Sequence, residues 1–158
     1  MKKFKIVPFL LLVLLLAGCA DPASEEVDLT KAYENAMETI RRQKGDTPYM
    51  EQETDAEVLE MMYPGIGDVD TKQLIVWVSP MSGMPAEVVM LEASDAANAK
   101  KAEDILKARV ESQAADSFYP ITIAQWKNAA KVTTSGNFVV MAVMPEGVAL
   151  PPEFLAQF

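Results

Sequence analysis

Apolar residues recur every three or four positions at Leu29, Ala32, Tyr33, Ala36, Met37 and Ile40, which predicts an amphipathic helix. Asp28 stands where an N-cap belongs, Arg41, Arg42 and Lys44 fill the last turn, and Gly45 follows as a stop. Asp46–Glu53 has no period and reads as a loop. Asp55–Tyr63 predicts a second, short helix ended by Pro64 and Gly65. The pattern then changes. Leu74–Ser79 and Glu87–Ala93 are short and rich in β-branched and aromatic residues, so they read as strands, with Pro80–Ala86 as a long hairpin tip. Ser94 or Asp95 caps a long helix running to about Ser117, with Ala99, Ala102, Leu106, Val110 and Ala114 as its apolar stripe. Glu103 and Lys107 form a surface pair on it at the favourable spacing. Thr122-Ile123-Ala124-Gln125 has the form of a capping box, which predicts one or two helical turns over Ile123–Asn128. Lys131–Thr134 and Phe138–Met144 are two more strands, joined by a tight Ser135-Gly136-Asn137 turn. Pro152–Phe158 predicts a terminal helix with proline at its first position.

The core order is therefore ββαββ after two N-terminal helices. Hairpins make antiparallel pairs, so the expected class is α+β, a four-stranded antiparallel sheet with a long helix between two hairpins. The strands do not alternate cleanly. Phe138, Val140 and Met144 point one way and Val139, Met141 and Val143 the other; Leu74, Val76 and Val78 likewise oppose Ile75 and Trp77. Strands apolar on both sides belong to sheets covered on both faces. The long helix can cover one face, and Leu29–Lys44 is the candidate for the other.

The N-terminus has a different character. Lys2, Lys3 and Lys5 precede the almost purely apolar run Ile6–Ala17, and small residues follow at Ala17 and Gly18. This is the order of a secretory signal. The run Leu16-Ala17-Gly18-Cys19 resembles the bacterial lipobox, which makes residues 1–18 a signal peptide and Cys19 the lipid-bearing first residue of the mature chain. The apolar stretch Ile6–Ala20 is short for a membrane span, which needs roughly 20 residues. Residues 19–28 form the acylated cysteine and a polar tether, and 29–158 one domain, with a helical part at 29–63, the ββαββ core at 74–144 and the C-terminal helix at 151–158. The expected location is the extracytoplasmic face of the cell membrane, held by lipid.

Cleavage before Cys19 removes the three signal lysines and leaves 11 basic against 23 acidic side chains, a net charge of −12. A nucleic-acid partner is therefore not expected, and an anionic membrane surface repels the domain. Cys19 is the only cysteine, so the fold has no intrachain disulfide.

Met62-Tyr63-Pro64-Gly65-Ile66, the run Val78-Ser79-Pro80-Met81-Ser82-Gly83-Met84-Pro85-Ala86-Glu87, the helix after Asp95, and Gly136-Asn137-Phe138-Val139 together give a recognisable series. Over roughly Leu59 to Val143 the chain resembles the bacterial lipoprotein family with domain of unknown function 4358. The resemblance implies a lipidated, membrane-tethered extracytoplasmic domain and supplies no catalytic residues. In the hairpin tip the chain departs from the family, which carries more polar residues after the methionines.

The sequence has no histidine, the commonest general base and metal ligand. Its one thiol is expected to carry lipid, so neither a cysteine nucleophile nor a Ser-His-Asp arrangement is available. It has no Ser-x-x-Lys run, glycine-rich phosphate loop or calcium loop. No cofactor or metal is expected beyond the covalent lipid on Cys19. Met81 and Met84 form a Met-x-x-Met pair of soft ligands that suits Cu(I), yet two thioethers make a weak site and methionine is a common contact residue. Met81, Met84, Pro85 and Trp126 are therefore read as a contact surface, with core closure as the competing role for Trp126.

A non-enzymatic binding or accessory module follows, with an unidentified protein or small molecule as its partner. One alternative is an extracytoplasmic enzyme using paired carboxylates, with a solvated acidic surface as the plainer account of those carboxylates. The other is a structural lipoprotein that associates with itself, as a homodimer for instance. Convergent carboxylates in a cleft would mark the enzyme, and an exposed apolar patch the binding module.

Overall fold

A computed structural model describes residues 27–81, 83–116 and 119–158. The segments expected to be signal peptide and tether, with Cys19, lie outside the described residues. The first helix, α1 (Leu29–Lys44), has the expected limits. The Asp28 carboxylate accepts the Lys31 backbone N–H at 3.0 Å, and Gly45 closes the helix with a left-handed φ of 84° that a side chain would disfavour.

The loop expected at Asp46–Glu53 ends in a strand, β1 (Glu51–Glu53). It pairs antiparallel with β2 (Thr71–Val78) through Glu51 opposite Val78 and Glu53 opposite Val76. Between them lie α2 (Ala56–Met62), capped by Asp55, and a 3-10 turn at Ile66–Asp68. β3 (Glu87–Ala93) pairs with β2 and with β5 (Phe138–Val143), and β4 (Lys131–Ser135) closes the far edge. The sheet is thus five-stranded and antiparallel in the order β1-β2-β3-β5-β4. The four-strand expectation is corrected because β1 is short and polar: its place comes from the free edge of β2 and not from any pattern of its own.

Two helices separate the hairpins, the second longer than the one or two turns expected for it. α3 (Ala96–Ala115) starts at its Asp95 cap, and α4 (Pro120–Ala129) follows. The capping-box reading placed α4 too late. Pro120 occupies the first turn, and the Thr122 hydroxyl donates back to the Tyr119 carbonyl at 2.7 Å. The terminal helix α5 is confined to Pro152–Leu155. The fold is α+β, with β1 inside the segment expected to be only helical.

Strand alternation divides the core between the two faces of the sheet. On one face Ile75, Val88, Met90 and Val140 pack against the α1 stripe and Phe154 of α5. On the other, Val76, Val89, Leu91, Val139 and Met141 pack against Ala99, Ala102 and Leu106 of α3 and against Trp126 of α4. Both faces are covered and α1 is the second cover. Every residue of the central strand β3 is buried, including Glu87 and Glu92.

Each acid has its own partners. At the start of β2, Lys72 pairs with Glu92 at 2.6 Å. The neighbouring Gln73 amide donates to Glu92 at 3.2 Å and to the Val27 carbonyl at 2.7 Å, and its oxygen accepts the Leu29 N–H at 3.1 Å. This latch fixes the point where the chain enters the domain.

Candidate functional site

Glu87 opens β3 at the far end of the sheet, immediately after the hairpin tip. A buried carboxylate needs donors to offset its lost hydration. The Tyr63 hydroxyl donates to it at 2.7 Å, and Arg109 of α3 adds Nε at 3.2 Å and Nη2 at 2.9 Å. The Arg109 guanidinium lies 5.6 Å from the Tyr63 ring centroid and 5.5 Å from that of Trp126, within reach of both π faces.

The electrostatics keep this cluster in one state. Burial, followed by the adjacent Glu87 charge, pushes the Tyr63 hydroxyl far above the ordinary tyrosine range, so it remains a donor. For Arg109, burial works against the charge, but the hydrogen bond and charge of Glu87 outweigh it and raise the guanidinium above its usual value. Arg109 spends two of its five N–H groups on Glu87. Its Nη1 has no hydrogen-bond partner among the described residues.

Above the cluster opens a cleft of about 360 Å³. Met62, Met81, Met84, Pro85, Tyr119 and Trp126 line it, with Glu87 and Arg109 also among its lining residues. The Met84 N–H donates to the Met81 carbonyl at 3.1 Å, closing a turn that holds the two methionines close together. The tip is tied down by Gln125 of α4, whose amide donates to the Pro85 carbonyl at 3.2 Å and the Met144 carbonyl at 2.8 Å. A second groove adjoins the first through Met84 and carries Ile121, which is 72% exposed. Of the seven large apolar side chains exposed among the described residues, Met81, Met84, Tyr119 and Ile121 all belong to these two depressions.

The four residues read from the sequence as a contact surface are thus brought together. Trp126 is 3% exposed, a core residue as its competing reading had it, and it also lines the cleft. Sequence reading missed Tyr63, Glu87, Arg109, Tyr119 and Gln125. A signal for Arg109 existed, since it falls three residues after Leu106 and continues the buried stripe of α3. Glu87 carried a weaker one, as an acid opening an otherwise apolar strand.

No group of three or more acidic, histidine or cysteine side chains among the described residues could hold a metal ion. Among the described residues Glu87 is the only acid in the cleft lining. A larger hollow of about 690 Å³ lies between α1 and the following loop, lined by Tyr33, Glu34, Glu38, Asp46 and Tyr49 among others, but it contains no buried charged side chain.

No curated protein and no solved structure is similar to the chain. The matched family span, residues 43–144, covers β1 to β5 with the whole cleft, and omits nearly all of α1 and all of α5. Matching over more than half its length, the chain belongs to the family described as Domain of unknown function (DUF4358).

Proposed function

We propose that this chain is an extracytoplasmic lipoprotein, anchored through lipid on Cys19, and that it works as a non-enzymatic docking module through the hairpin-tip surface. The observation that carries the docking reading is the concentration of exposed methionine, tyrosine and isoleucine over the buried Glu87 and its partners Tyr63 and Arg109. Contiguous exposed apolar surface of this kind marks interaction sites. Methionine suits them because its side chain adapts to a guest. The carboxylate-enzyme alternative has less support, since Glu87 already accepts three hydrogen bonds and no second acid among the described residues lines the cleft. The lipid anchor rests on the lipobox-like run and its place at the end of the apolar segment.

Two experiments separate the parts of this reading. Cys19→Ala should abolish metabolic lipid labelling and release the protein from the membrane fraction; persistent labelling would refute the anchor. For docking, full-length protein carrying Met84→Glu or Ile121→Glu is purified from solubilised membranes beside the wild type and an Arg42→Glu control. A specific companion should accompany the wild type and the control but not the two tip variants. A companion retained by all four, or by none, would contradict the docking reading.

A further inference from the structure

We propose that Met62, Met81 and Met84 form a thioether site for a soft monovalent cation, Cu(I) or its analogue Ag(I), in the hairpin-tip cleft. The site needs no partner protein and so stands apart from the docking reading. Along the sequence Met81 and Met84 offer two sulfurs, too few for a firm site. The fold adds a third: Met62, the last residue of α2, lines the same cleft. Three of the ten methionines of the chain thus share one depression of about 360 Å³. The backbone under each is held in place. After Met62 comes Tyr63, whose hydroxyl is bonded to Glu87 at 2.7 Å, and Glu87 stands opposite Val78 at the foot of the hairpin. The end of α2 is thereby fastened to the base of the tip. The Met81 N–H donates to Ser79 Oγ at 3.1 Å, and the Met84 N–H donates to the Met81 carbonyl at 3.1 Å. From α4, Gln125 holds the Pro85 carbonyl at 3.2 Å. Donors on a fixed backbone lose less freedom on binding, which lets a small ligand set suffice.

The donor set selects the ion. Thioether sulfur is neutral, soft and polarisable, and suits Cu(I). Zinc draws on thiolate, imidazole or carboxylate, and among the described residues the one such group in the lining, Glu87, is already bonded to Tyr63 and Arg109. Three neutral donors leave the bound ion with its single positive charge. Arg109 does not oppose that charge, since it is paired with Glu87 at 2.9 Å, and the chain as a whole carries −9. Tyr119 and Trp126 share the lining. Aromatic surface there keeps water from competing with weak thioether ligands and attracts a cation through its π faces. Methionine also fills irregular gaps in cores. That role fits the half-buried Met62 but not Met81 and Met84, which are 44% and 39% exposed.

The test uses the full-length chain in detergent, with Cys19→Ser so that no thiol competes for metal, and with isotope-labelled methionine methyl groups. Titration with silver nitrate in chloride-free buffer should saturate at one ion per chain. It should shift three methyl resonances, those missing from Met62→Leu, Met81→Leu and Met84→Leu. Each of these variants should weaken silver binding by about tenfold or more, while Met61→Leu, at an exposed position outside the cleft lining, should bind as its parent does. Methionine-to-leucine swaps nearly conserve volume, so the variants fold. Anaerobic competition with the Cu(I) chelator bicinchoninate should rank the variants in the same order, and zinc should move none of the three resonances. Silver that leaves the Met62 methyl unmoved, or that shifts Met61 equally, would overturn the site in favour of adventitious coordination by exposed sulfur. Cu(I) affinity unchanged by Met62→Leu would overturn it as well. Metal binding is read on the isolated chain, so it can fail while docking stands, and docking can fail while it stands.

Discussion

Arg109 grips Glu87 side-on, with Nε and Nη2 each donating to a different carboxylate oxygen, while its flat guanidinium packs against Tyr63 and Trp126. Arg109 therefore belongs both to the core and to the cleft. Removing it leaves a buried carboxylate with only the Tyr63 hydroxyl. Arg109→Ala should cost about 3 kcal/mol in urea unfolding, within the range for breaking a buried pair. Glu87→Met combined with Arg109→Met should recover most of that loss. A double variant no more stable than Arg109→Ala would show that shape, not charge pairing, dominates here.

The two faces of the sheet should be similarly sensitive. Leu29 on α1 and Leu106 on α3 are both fully buried, on opposite faces. Leu29→Ala and Leu106→Ala should each cost about 2–5 kcal/mol by the same unfolding measurement. A negligible loss for Leu29→Ala would mean that α1 adds little as a cover.

Tyr33 supplies a pH dependence. It is stacked on Trp77 at a 4.4 Å centroid distance, and burial pushes its hydroxyl up to about 12. The unfolded chain ionises this tyrosine near pH 10. Between pH 10 and 12 the unfolded state therefore binds fewer protons than the folded state, and stability falls as pH rises. The contribution is complete below pH 10 and is lost through about 12. Tyr33→Phe should flatten that part of the stability–pH curve relative to wild type. Identical slopes in the two proteins would show that the Tyr33 hydroxyl is not effectively buried.

Much of the fold was legible because local and tertiary signals agree. Asp28, the α1 stripe and Gly45 each state the same helix, and β3 and its pairing partners are apolar on both faces as their position requires. β1 was not legible, since Glu51-Gln52-Glu53 carries no alternation and becomes a strand only when the β2 edge supplies its hydrogen bonds. The start of α4 was misread because Thr122 and Gln125 have the chemistry of a capping box but other tasks. One bonds back to Tyr119, and the other anchors the hairpin tip. At the site, Met81, Met84, Pro85 and Trp126 stood out as residue types. Tyr63, Glu87 and Arg109 did not, because their meaning lies in a convergence across 24 and 22 residues of sequence.

The tip substitutions used to probe docking should leave the domain intact. Met84 and Ile121 are exposed, so Met84→Glu and Ile121→Glu should change unfolding free energy by no more than about 0.5 kcal/mol. A larger loss would show that the tip surface supports the core, and its variants would no longer report on docking alone.

The most direct test of the docking surface is site-specific photo-crosslinking in living cells. A photoreactive residue is placed at Met84, at Ile121, or at exposed Arg42 on α1. Positions 84 and 121 should yield the same discrete higher-mass adduct, containing one copy of this chain and one other protein, while position 42 yields none. Adducts absent from both tip positions, or equally strong at position 42, would contradict the account.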